Sequence, residues 1–252
     1  MRGECFVNSA QPFEPFGTAH LLTLLVLCLV GFAIVYGAHR WTSKEQAKRI
    51  AAAMGVFMIV QELVDRGCHH FLNHEPFVNV LPFHLCGASV FLTAVMLINR
   101  SRLIYPLMYF WGLAGASMSI LTPDIQFGFP HILNITYFSS HALIIVGVLY
   151  MTVNFQYRPT LKSLYGVAIF TNAYLVLMIP INIVLKTNYL FICEKPKGDT
   201  LLNYLGPWPW YILSLEGVGI LFFLLLYSPY LVRDYVARKR RANAESRESA
   251  PV

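Results

Sequence analysis

Seven apolar runs of membrane-spanning length constrain this chain more than any single motif. They cover residues 18–38, 49–65, 80–98, 103–121, 132–153, 163–185 and 209–231. A helix that crosses a bilayer needs about 20 mostly apolar residues, and in lipid every backbone polar group must be satisfied within the chain. The expected fold is therefore all-α, a polytopic bundle of seven transmembrane helices in one domain, residues 1–231. A basic, solvated and partly disordered tail over 232–252 should follow. The second run is the weakest, because Gln61 and Glu62 fall inside it.

Composition agrees with this. Charged residues make up 13% of the chain and hydrophobic ones 56%, against about 25% charged in a soluble domain. The formal charge of +6 sits in short loops and the tail, not on a continuous basic face, so nucleic acid is not an expected partner. The first apolar run exceeds a signal-peptide core of about 7–15 residues and should remain as a helix. No transporter-like inverted repeat is visible.

Lysine and arginine set the orientation. With the N-terminus outside, 14 of the 19 basic residues fall on the cytoplasmic side. This predicts a multi-pass protein of the cell membrane, N-terminus out and C-terminus in. It also places His20, His69, His70, His74, His84, His131 and His141 in outer loops or outer helix halves, leaving only His39 inside. Any chemistry faces outward.

The stretch 111–131, WGLAGASMSILTPDIQFGFPH, opens with small residues that permit close helix packing in lipid. Pro123, Gly128 and Pro130 then turn the chain. It reads as a tight hairpin whose outer turn walls a site. Intramembrane ionisable residues are costly and usually face the bundle interior. Glu62, His84, Cys86, Asp124, His131, His141, Asn182 and Glu216 come from different segments at one expected depth, which predicts an outward-opening polar pocket. Cys86 and His141 would supply the thiol and imidazole of nucleophilic acyl transfer, with Asp124 or His84 orienting. Glu62, His131, Asn182 and Glu216 would line the pocket.

Metal binding competes for some of these groups. Asp65, His69, His70 and His74 have ligand-like spacing, but no HExxH or paired CxxC is present, so neither metal nor cofactor is expected. Of the five cysteines, Cys28 should pack within the membrane. Cys5, Cys68 and Cys193 fall on the outer side, where one disulfide is possible in an oxidising compartment. The loop 186–208 reads as an interfacial aromatic belt or a lid, with Asp199 or Thr200 capping a short helix over LLNYL.

The stretches LPFHLCGAS, YFWGLAGASMSILTPDIQFGFPH, YFSSHALIIVGVLYMTV, NYLFICEKP and LLNYLGPWPWY together resemble the YwaF-type bacterial integral membrane family over residues 81–227. That resemblance implies a seven-helix membrane protein. A more distant likeness is to the eukaryotic transmembrane acyltransferase of ether phospholipids, which implies a cysteine and a histidine acting in the membrane. Its histidine context looks like Tyr137-Phe138-Ser139-Ser140-His141. Its Pro-Cys-His context is similar to Pro82-Phe83-His84, but Phe83 stands where that cysteine would be. Cys86, three residues on, lies nearly one helical turn away and on a similar face.

The expectation is thus a membrane protein handling a lipid or other amphiphile, by acyl transfer or ester hydrolysis if it is an enzyme. A transporter or ligand-binding protein using the same pocket is the second reading, and a membrane partner subunit the third. Membrane lipids are the expected partners.

Overall fold

A computed structural model describes residues 12–196 and 201–248. Cys5, Asp199 and Thr200 lie outside the described residues. Within them the protein is helical, with one isolated bridge between Pro12 and Phe127. The helices are α1 (Thr18–Trp41), α2 (Lys44–Gly67), α3 (Leu85–Asn99), α4 (Ile104–Trp111), α5 (Ser117–Leu121), α6 (Ile132–Asn154), α7 (Leu161–Leu185) and α8 (Trp210–Glu248). A π-helical turn, Gly112–Ala116, joins α4 to α5 in one rod.

Five of these rods are long and apolar enough to cross a membrane: α1, α4 through α5, α6, α7 and α8 up to Ala237. The chain is a multi-pass membrane-type protein. α3 is apolar but has only 15 residues, and α2 carries charge at both ends. Leu21, Leu25 and Leu29 of α1 and Ile183 and Val184 of α7 are exposed, as expected of surfaces that meet lipid rather than water. Cys28 also lies on the exposed side of α1, so it packs against no core.

Local chemistry moves several boundaries. α2 starts at Lys44, earlier than its apolar run, because Ser43 and Gln46 form a reciprocal capping box. α3 starts at Leu85, later than its run. A 3-10 turn, Phe77–Val80, and the extended residues Leu81 and His84 precede it, and Pro82 among them supplies no backbone N–H. α8 continues past residue 231 to Glu248, so the described part of the basic tail is helical.

α6 is the hub. Of its most apolar window 56% is buried, against 11% for α1 and for α8. It packs on α1, α2, α3 and the α4–α5 rod. Gly112, the first glycine of the small-residue stretch, meets Ile144 of α6 where a side chain would otherwise stand. Gly115, by contrast, faces open space.

The closest backbone approach that positions the polar groups is between α2 and α3. A Cβ at Gly55 would lie 2.7 Å from the Ala94 carbonyl oxygen and 2.8 Å from Ile98 Cγ1. A carbonyl cannot rotate away, so Gly55→Val is expected to push the two helices apart at a cost of about 1–3 kcal/mol. A thermal midpoint in detergent equal to wild type would refute that contact.

Candidate functional site: a thiol and an imidazole at the start of α3

The late start of α3 places Cys86 in its first turn, with His84 as the N-terminal flanking residue. The π-helical turn inserts an extra residue into the α4–α5 rod, a device common at functional sites, and α5 follows it. Ser119 of α5 stands 3.6 Å from Cys86, Oγ to Sγ. The Ser119 carbonyl accepts a 3.1 Å hydrogen bond from the Tyr137 hydroxyl. Two elements distant in sequence thus meet at the thiol.

His141 approaches from α6 and is 5% exposed. Its Nδ1 lies 2.7 Å from the Tyr137 carbonyl oxygen, one turn back on the same helix. A carbonyl only accepts, so Nδ1 carries the proton and Nε2 presents a lone pair. The carbonyl has two lone pairs and can serve the helix as well. Nε2 is buried and makes no hydrogen bond, and the imidazole interacts with the Cys86 thiol. Together these bring the Cys86 thiol and the His141 imidazole into one buried group.

Glu62, 5% exposed, also interacts with His141. Its main partner is Arg66, four residues on in α2, whose guanidinium also donates to the Val80 carbonyl. The Glu62–Arg66 pair therefore stands beside the Cys86–His141 pair. Arg66 extends along the face of α3, with its guanidinium carbon 5.8 Å from the Phe91 ring centroid. One residue before it, Asp65 accepts a hydrogen bond from Thr136 of α6, a second tie between α2 and α6.

The remaining candidates are spread around this centre. The His84 ring lies 5.3 Å from that of Tyr189 and 5.2 Å from that of Phe191, both from the loop 186–208, the sixth between the seven apolar runs, and it interacts with Arg66. Asp124 is exposed just beyond α5 and interacts with Tyr137. The group holding His141 Nδ1 is thus the Tyr137 carbonyl, a backbone atom. Asn182 clamps the sixth loop, accepting from the Tyr189 N–H at 2.7 Å and donating to the Tyr189 carbonyl at 3.0 Å. Glu216 accepts from Asn172 at 3.2 Å and ties α8 to α7. His131 flanks α6, accepts from the Leu133 N–H at 3.2 Å and stacks 4.2 Å from the Phe127 ring. Glu62, Cys86 and His141 converge. His131, Asn182 and Glu216 are joints elsewhere in the bundle.

His69 pairs with Glu75 at 2.6 Å and lies 3.9 Å from Asp65. Among the described residues no three His, Cys, Asp or Glu side chains converge as metal ligands. Cys68 and Cys193 are both free thiols, so no disulfide joins them, while Cys5 lies outside the described residues. A cavity of about 70 Å³ opens beside His20, Phe138 and Asn134, away from Cys86.

Sequence reading missed Arg66, Ser119 and the Tyr137 carbonyl. A signal existed for the first, since Glu62 and Arg66 are four apart and share a helix face. No sequence pattern announces the others.

The model of the TMEM164 family matches residues 15–227. An uncharacterized protein of Treponema pallidum (strain Nichols) is 25% identical over 222 residues, which cover 86% of this chain and 90% of that protein. No solved structure gives a significant match.

Proposed function

We propose, from the premise that this chain belongs to the TMEM164 family, that it transfers or hydrolyses acyl groups of membrane lipids, with Cys86 as nucleophile and His141 as general base. The observation that carries this reading is the 2.7 Å contact between His141 Nδ1 and the Tyr137 carbonyl oxygen. The ring's Nδ1–H is committed to Tyr137, and its Nε2 is buried without a hydrogen bond while the imidazole interacts with the Cys86 thiol. A buried acceptor without a partner is rare and needs a reason. Receiving the Cys86 proton is one.

The chemistry balances without a cofactor. Cys86 gives its proton to His141 Nε2, and the thiolate attacks an ester carbonyl carbon. The leaving alcohol departs with the proton from His141, and a thioester remains on Cys86. A second lipid hydroxyl or a water then loses its proton to His141 and attacks the thioester. The acyl group moves to the acceptor, and the proton returns to sulfur. The likeness of 137–141 to the histidine context of the eukaryotic ether-phospholipid acyltransferase supports the assignment of His141, whereas Phe83 lies in the turn before α3 and not one helical turn from Cys86. Likeness to YwaF-type proteins belongs to this reading too.

The same reading takes all seven helical rods as spans, including α2 and α3, with the N-terminus outside and the cell membrane as the location. The basic residues of the inner loops and tail support that orientation. The site then opens to the outer leaflet, beneath Tyr189 and Phe191. The two acids on which a transporter would draw, Glu62 and Glu216, are engaged by Arg66 and Asn172, which favours the enzyme.

The test is a covalent one. Purified protein incubated with a long-chain acyl p-nitrophenyl ester should gain one acyl mass, mapped to Cys86 and removed by neutral hydroxylamine. Cys86→Ala should gain none. Wild-type protein that never acylates, although Cys86 reacts with iodoacetamide, would end the acyl-transfer reading.

A further inference from the structure

Three side-chain polar atoms among the described residues are buried without a partner: Arg66 Nε, Thr93 Oγ1 and His141 Nε2. Two of them, one donor and one acceptor, belong to side chains that meet the first turn of α3. The acceptor serves the thiol proton in the reading above. The donor has no role there.

That first turn is itself short of partners. The N–H groups of Leu85, Cys86 and Gly87 have no acceptor within the helix. The first bond made back to the flanking residue is from the Ala88 N–H to the His84 carbonyl, at 3.0 Å, and no side chain caps the helix. A helix N-terminus favours negative charge, but alone it identifies nothing. Here it coincides with the 5% exposed His141, whose Nε2 is buried without a hydrogen bond and whose imidazole interacts with the same residue, Cys86.

Arg66 completes the arrangement. Its guanidinium lies against Gly87, with the guanidinium carbon 3.5 Å from the point where a Cβ would stand and one terminal nitrogen nearer still. Any larger residue at 87 would therefore displace Arg66. The terminal nitrogens are held by Glu62 and the Val80 carbonyl, so the guanidinium cannot swing freely. Its Nε–H remains unspent.

We propose that the first-turn N–H groups of Cys86 and Gly87, together with Arg66, form the oxyanion site of this enzyme, and that Gly87 is glycine so that Arg66 can reach it. The proposal rests on the acyl-transfer reading. When sulfur bonds to the acyl carbon, the carbonyl π pair moves onto oxygen and creates a negative charge that the substrate lacks. Donors fixed at that point act mainly on the transition state, and removing one typically slows reaction about 10²–10³-fold. The pair with Glu62 keeps the resting site neutral overall, which limits the cost of a cation at this depth.

The experiment compares two reactions of one thiol in the full-length protein. Iodoacetamide alkylates Cys86 without forming an oxyanion, whereas p-nitrophenyl octanoate must form one. In Arg66→Gln and in Gly87→Ala the ratio of acylation to alkylation rate is expected to fall about 10²-fold. Because both rates report the same Cys86, partial unfolding affects numerator and denominator together. Gly87→Ala also keeps both Glu62 and Arg66 in the chain, so neither charge loses its counterpart residue. A wild type that acylates, with the ratio unchanged in both variants, overturns the oxyanion assignment alone. A wild type that alkylates and never acylates overturns it together with the function on which it rests.

Discussion

Replacing His141 with glutamine is expected to slow acylation of Cys86 by about 10²–10⁴-fold at neutral pH, the usual range for losing a positioned general base. Glutamine keeps a polar group near the Tyr137 carbonyl, which now holds Nδ1 at 2.7 Å, but offers no basic nitrogen at the position of Nε2. The deficit should also depend on pH. A thiol deprived of its base must wait for solvent to deprotonate it, and a free cysteine does so around pH 8.5. Raising the pH to about 9.5 should therefore restore much of the variant's reaction with iodoacetamide while changing wild type little. The measurement is a pair of rate against pH curves for the two proteins. Curves that run parallel across the whole range would mean that His141 shapes the site without taking the proton.

Much of the architecture was legible because membrane helices must satisfy their own backbone. Five of the apolar runs correspond to helices long and apolar enough to cross a membrane, and the hairpin at 122–131 lies between α5 and α6 as its prolines suggest. The differences arise where a specific local contact outweighs hydropathy. Ser43 and Gln46 lengthen α2 backwards, and the turn through Pro82 shortens α3. That second shift matters most, because it takes His84 out of the helix and leaves Cys86 in an uncapped first turn. Hydropathy cannot see a cap, and it averages over the very residues that decide one.

The site was legible only in part, for a related reason. Depth along a helix is a sequence property, and Glu62, Cys86 and His141, expected at one level, do interact with one another. Azimuth is set by packing. Asn182 and Glu216 face the sixth loop and α7, and His131 stacks on Phe127, although all three share polar character with the central group. The π-helical turn at Gly112–Ala116 adds to this, because an inserted residue changes the face on which Ser119 emerges. The orienting atom of His141 is a backbone carbonyl, which every residue possesses and no motif can flag.

The largest stability effect should come from Glu62. Glu62→Ala is expected to cost about 3 kcal/mol, the lower end of the range for stripping a buried ion of its partner. The lower end applies because the Arg66 side chain keeps 20% of its exposure while Glu62 keeps 6%. Removing both charges with Glu62→Leu and Arg66→Met should recover most of that loss, since a buried pair is often no more stable than an apolar replacement of similar volume. Thermal midpoints of the single and double variants in one detergent decide the point. A Glu62→Ala protein that melts with wild type would show that Arg66 does not depend on Glu62 for its place. If instead the double variant regains stability but not acylation, the pair is not there to hold the fold together. It is there because a guanidinium lodged against Gly87, beside Cys86, has to be kept in one position, and a carboxylate one turn away on the same helix does that at a tolerable cost.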